Sequence, residues 1–173
     1  MVFGLIALVL VLVVAWISMF NSLIKKKNNV EAAFASLDIA LKKRHGLVHD
    51  WIEMLESLEK DKEDFLFKVT NRRMEAMNSN LTVDQRLAAE NDLSQSVGEL
   101  TLVLARYPEI KADNMFRQIQ NSMNEADFVI ATARKQYNAK VIVLNNAIEM
   151  FPTKWVAKFM GLSSKPFFDM VQG

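Results

Sequence analysis

The chain has 173 residues, no cysteine, and 21 basic against 20 acidic side chains for a formal charge of +1. That balance argues against a nucleic-acid binder, whose phosphate contacts need a basic excess. The absent thiols exclude disulfides, iron–sulfur clusters, thiolate zinc sites and cysteine nucleophiles.

The first stretch, MVFGLIALVLVLVVAWISMFNSLI, carries no charged side chain from Met1 to Ile24. At 1.5 Å per residue this is about the length that crosses a bilayer's hydrocarbon core. The run is too long for a signal peptide, lacks a basic start, and ends without a small-residue cleavage pattern, so residues 1–24 are expected to stay as an anchor. Lys25, Lys26 and Lys27 follow at once. By the positive-inside bias they mark that side as cytoplasmic, which puts the N-terminus out and residues 25–173 in the cytoplasm. Trp16 and Phe20 suit an interfacial aromatic belt or simply complete the span.

Beyond the lysines, Val30, Phe34, Leu37, Leu41, Arg44, Val48, Trp51, Leu55, Leu58, Lys62, Phe65 and Val69 fall alternately four and three apart. This is a heptad seam of the coiled-coil kind. With no proline and no glycine-rich break before Asn78-Ser79-Asn80, one unbroken helix is predicted from Met1 to about Arg73, its part beyond the anchor occupying 25–77.

A second helix is predicted over 82–107. Thr82 and Gln85 form a capping box, and Leu87, Leu93, Val97, Leu100 and Leu104 line its apolar face. Tyr107-Pro108 closes it. A third helix, over 113–151, is capped by Asp113 or Asn114 and carries Phe116, Ile119, Met123, Ala126, Ile130, Ala133, Tyr137, Leu144 and Phe151 along its seam. After Pro152 a short aromatic helix covers 153–161 with Gly161 as its C-cap, and Pro166-Phe167-Phe168 reads as an extended tail. The predicted class is all-α: a transmembrane helix continuous with the long first helix of an antiparallel four-helix bundle.

Helix lengths add an inference about assembly. A second helix returning from Asn78 covers the first only to near Trp51. Val30, Phe34, Leu37, Leu41 and Val48 would then forgo roughly 1.5–3 kcal/mol each in water. With Arg44 they form the expected oligomer seam, packed against identical segments of other subunits. The opposing reading is that the helix boundaries are off by several residues, or that a shifted third helix covers the gap.

Several motifs resemble the LemA family of bacterial membrane-anchored helical proteins. VEAAFASLDIALKKRHGLVHDWIE looks like that family's first-helix signature, with Ala32, Asp38, Leu41, Lys43, Arg44, Leu47 and Glu53 at matching positions. AENDLSQSV resembles its second-helix motif, and ARYPEIKADNMFRQIQ its tyrosine-proline turn. ATARKQYNAKV, AIEMFP, VAKFMGL and FFD resemble its C-terminal run. The resemblance implies a membrane-anchored cytoplasmic bundle and names no reaction. It departs from the family pattern at His49-Asp50, Asp61-Lys62 and Phe128-Val129, which casts doubt on chemistry assigned to those positions.

Candidate sites are few. His45, His49 and Glu53 repeat at four-residue intervals with Asp38 seven before His45, a spacing by which imidazoles can share a metal; the plainer reading is two solvated histidines on the flank of a coil. Arg44, a charge in a core seam, is expected either to set register by pairing with Asp38, Asp50 or another subunit, or to snorkel. Arg134, Tyr137, Asn138 and Asn145 form a polar strip that offers a docking groove or interhelical hydrogen bonds. Trp155, Phe159, Phe167 and Phe168, among Lys154, Lys158 and Lys165, suit a membrane surface, a partner helix or a cap on the bundle core.

No glycine-rich phosphate loop or nucleophile constellation is present, so neither an enzyme nor a cofactor is expected. The expected partners are the bilayer, further copies of the chain and an unidentified protein, with no nucleic acid. The leading expectation is a self-associating scaffold on the cytoplasmic face of a bacterial inner membrane; the alternative is a monomeric adaptor docking through the third helix or the aromatic tail.

Overall fold

The computed structural model describes residues 2–57, 63–107 and 113–169, all helix or turn and irregular chain with no strand among them. Five helices follow in order: α1 Val2–Glu56, α2 Glu63–Ala76, α3 Val83–Leu104, α4 Asn114–Glu149 and α5 Thr153–Phe159. The described residues pack as two compact units, one within 36–134 together with Phe168 and Asp169, the other within 2–35 and 135–167. The sequence suggested a single domain from residue 25 onward.

In the first unit four helical segments share one core. Val48, Trp51, Ile52 and Leu55 of α1 meet Leu66, Val69 and Ala76 of α2, Leu93, Val97, Leu100 and Leu104 of α3, and Phe116, Ile119 and Met123 of α4. The rings of Trp51 and Phe116 stack with centroids 6.4 Å apart. Polar contacts fix the directions. Arg73 of α2 donates from Nε to the His45 carbonyl at 2.6 Å, and Arg72 donates to Ser96 Oγ at 2.8 Å. Arg86 of α3 pairs with Asp38, and Lys43 lies 3.5 Å from Glu125 of α4. Thus α1 and α3 run one way, α2 and α4 the other.

This corrects the predicted first helix. It does not run unbroken to Arg73; α1 ends at Glu56, and α2, beginning at Glu63, returns antiparallel beside it. The fourth bundle helix comes from this division and not from the short C-terminal helix. The seam positions Leu58 and Lys62, and Pro108 of the predicted turn, lie outside the described residues. The second predicted helix, α3, consequently runs parallel to α1 instead of returning along it.

Local signals placed the other helix ends. Thr82 accepts from the Gln85 backbone N–H at 3.3 Å while the Gln85 side chain accepts from the Thr82 N–H at 3.0 Å, completing the capping box. Asp113 Oδ1 accepts from the N–H of Met115 at 2.6 Å and starts α4. Beyond α5, Gly161 adopts φ of 65°, and the N–H groups of Gly161 and Leu162 donate to the carbonyls of Lys158 and Ala157. That is a Schellman closure, which favours glycine because a Cβ is strained at positive φ.

In the second unit the N-terminal part of α1 lies antiparallel to the last part of α4. Phe34 meets Tyr137 with ring centroids 5.6 Å apart, and Leu23 packs with Val156 and Ala157 of α5 among Met19, Phe20, Ala147, Ile148, Met160 and Leu162. The segment 162–169 is irregular chain, as expected. It is tied down by Tyr137, whose hydroxyl donates to the Pro166 carbonyl at 3.0 Å, and by Asn145. The Asn145 side chain donates to the Lys165 carbonyl at 2.9 Å and accepts from the Lys165 N–H at 2.8 Å.

Candidate functional site

The expected oligomer seam is covered within one chain. Leu37, Leu41 and Val48 are at most 1% exposed, Val30 and Arg44 are buried, and Phe34 is half-buried against Tyr137. The premise of an uncovered seam from Val30 to Val48 therefore fails. An early chain reversal lets α2 and α3 lie along 36–56, and the 36-residue α4 runs antiparallel to α1 in each unit.

Arg44 sits at the centre of a polar cluster in the four-helix unit. Its Nη1 donates to Ser94 Oγ at 2.9 Å, and its Nε lies 3.2 Å from Asp127 Oδ1. Its partners thus come from α3 and α4, not from Asp38 or Asp50. Ser94 Oγ in turn donates to the Glu90 carbonyl at 2.7 Å. Burial pushes the Asp127 carboxyl up from its ordinary value against the pull of Arg44. At Asp38 burial also pushes upward, but Lys42 and Arg86 outweigh it and hold the carboxyl below the usual range.

His45, the next residue, turns inward. Its Nε2 lies 2.7 Å from Oε1 of Glu90, within hydrogen-bond distance, and the side chains are 3% and 0% exposed. Among the described residues, His45 Nδ1 and Glu90 Oε2 have no hydrogen-bond partner. His49 stays at the surface, 3.2 Å from Glu53. The metal candidates His45, His49 and Glu53 are therefore not brought together, and His45 is not the solvated residue of the plainer reading. Among the described residues no three His, Cys, Asp or Glu side chains are grouped so as to hold a metal ion.

Sequence reasoning missed Glu90 as the partner of His45. A signal was available: Glu90 lies three residues from Leu87 and three from Leu93, inside the apolar stripe of its helix. A carboxylate there must find a buried partner.

Of the polar strip, Tyr137 is buried and, with Asn145, binds the chain's own tail, while Arg134 and Asn138 are half-buried on α4. Any docking groove along Tyr137 and Asn145 is thus filled by residues 165 and 166. Of the aromatic candidates, Phe168 is fully buried, whereas Trp155 at 65%, Phe159 at 75% and Phe167 at 44% remain exposed. The apolar side chains from Val2 to Ile17 are likewise exposed along α1, the one described helix long and apolar enough to cross a membrane.

These features define an all-helical protein in which an apolar N-terminal helix continues into an antiparallel bundle. The LemA family model matches residues 33–173, beyond the apolar stretch, and the chain belongs to that family. It is similar to protein LemA of Metamycoplasma hominis, 23% identical over 86% of this chain and 68% of that protein. It is also similar to magnetosome protein MamQ 2 of Paramagnetospirillum magneticum, 28% identical over 48% of this chain. A third relative is magnetosome protein MamQ of Magnetospirillum gryphiswaldense, 23% identical over 47% of this chain. The matched part spans only 30% of the length of each magnetosome protein.

Proposed function

We propose that the protein is a non-enzymatic, membrane-anchored adaptor. In this reading α1 crosses a bacterial inner membrane with its N-terminus outward, and the bundle stands at the cytoplasmic face as a monomer that docks another protein.

The observation that carries the reading is the change of environment along α1. Apolar side chains are exposed from Val2 to Ile17, whereas Leu23, Val30, Leu37, Leu41 and Val48 are buried by the same chain. Exposed Leu, Ile and Val at roughly 1.5–3 kcal/mol apiece call for lipid around the first part. The Val30–Val48 seam, buried by the same chain, does not itself demand another copy. Lys25, Lys26 and Lys27 support the inward orientation. On the outer surface of α4, Phe128 at 73% and Val129 at 42% exposure offer an apolar contact for a partner protein.

Light scattering of the full-length chain in mild detergent tests this against the scaffold. A protein mass near the 19.7 kDa of one chain is expected. A multiple of it removes the adaptor and restores self-association, which would then have to use surfaces other than the Val30–Val48 seam.

A further inference from the structure

In the unit made of 1–35 and 135–167, α5 rests on the end of the apolar stretch. Val156 and Ala157 pack on Leu23 among Met19 and Phe20, and the Phe159 ring meets Trp16 edge-on at 5.9 Å. Residues 16–23 are the last turns before Lys25, Lys26 and Lys27. A group in contact with them lies at the depth where hydrocarbon gives way to headgroups, if α1 spans the bilayer as proposed above.

The outward side of α5 has the composition of that depth. Phe151, Trp155 and Phe159 are 71%, 65% and 75% exposed, and the Phe151 and Trp155 rings touch edge-to-face at 5.1 Å. Lys154 and Lys158 alternate with them, exposed and without an ion-pair partner among the described residues, and Lys165 is exposed in the tail. Tryptophan favours the interface because its ring is apolar while its indole N–H can stay hydrated, phenylalanine rings seat on the acyl side of it, and lysines reach from there to lipid phosphates.

We infer that Phe151 and α5 form a second membrane contact, seated in the headgroup–acyl boundary of an anionic bilayer beside the exit of α1. The inference rests on the anchor reading of α1 and adds the occupant of this surface. A protein partner is disfavoured by depth: the residues that α5 covers belong to the apolar run itself, so a soluble protein reaching Trp155 must enter the same boundary. Phe168 does not take part, being buried, so only part of the predicted aromatic tail meets lipid.

The chain's three tryptophans, Trp16, Trp51 and Trp155, supply the test. Full-length variants that keep one tryptophan, the others replaced by phenylalanine, are reconstituted in phosphatidylcholine–phosphatidylglycerol vesicles. Lipids brominated near the headgroup end of the acyl chain then quench emission by contact. The Trp155-only protein should lose emission to a degree comparable with the Trp16-only protein, and acrylamide in the water should quench it weakly. Quenching of Trp16 alone, with Trp155 open to acrylamide, overturns the inference, leaves the anchor intact and returns the surface to a soluble partner. Quenching of neither overturns the anchor itself. Because Trp51→Phe alters the core, a nitroxide on Trp155→Cys, unique in this cysteine-free chain, gives an independent reading. Collision with oxygen over an aqueous nickel chelate is expected, and the reverse preference overturns the inference.

Discussion

The buried His45–Glu90 pair should respond differently to the loss of one partner and of both. Removing one member of a buried hydrogen-bonded pair leaves the other's polar group unsatisfied and costs about 1–3 kcal/mol, whereas replacing both by apolar groups of similar size can be nearly neutral. Glu90→Ala should therefore lower the stability of the full-length chain in detergent by about that amount. The double variant His45→Leu/Glu90→Leu should recover most of it, as read by denaturant unfolding of wild type, single and double variants. The acid limb of stability depends on two other carboxylates with opposite signs. Asp38, held below its ordinary value of 3.8, contributes stability above that value and loses it as pH falls through the folded-state value. Asp127, pushed above 3.8, opposes folding when ionised, so its contribution favours the fold below that value and is lost as pH rises through the folded-state value. Thermal melts between neutral pH and the acid limb should show a shallower loss for Asp38→Asn and a steeper one for Asp127→Asn. At this scale Arg44 was legible as an anomalous charge in a seam, but its partners were not. They depend on which helices lie beside it, and a periodic pattern carries no information about neighbours.

Helix ends divide into those that local chemistry decides and one that it does not. Thr82 with Gln85, Asp113 and Gly161 each satisfy backbone groups within a few residues, so the sequence marked them correctly. The end of α1 carried no such mark. Phe65 and Val69 continue the four-three spacing of α1 because α2 faces the same core, and a pattern that records facing cannot record reversal. The dense charge of Ser57-Leu58-Glu59-Lys60-Asp61-Lys62-Glu63-Asp64 was the remaining hint. The tail shows the converse, a segment without periodicity that is nonetheless fixed. Its attachment hangs on the two Asn145 hydrogen bonds and the one from Tyr137. Asn145→Ala should accelerate chymotryptic cleavage after Phe167 severalfold in detergent, with Tyr137→Phe intermediate. An unchanged rate would mean that Phe168 burial alone holds the tail.

For the molecule as a whole, class and family were legible and assembly was not. The apolar run, the bundle periodicities and the LemA-like motifs all survive in the structure. The argument from helix lengths failed because it assumed one long first helix. Once α1 stops at Glu56, the remaining helices are enough to bury Leu37, Leu41 and Val48. The division into units then bears on how the chain is made. Residues 36–134 bring together all four helices of the shared core, so that core is complete in sequence once α4 has partly emerged during synthesis. The other unit joins 1–35 to 135–167, so Leu23 and Trp16 wait for α5, which is translated more than 100 residues later. Until then the apolar stretch must find its surroundings without help from the rest of its own unit. On the proposed anchor reading, insertion of α1 then precedes closure of this unit, and the aromatic helix arrives at a span already in place.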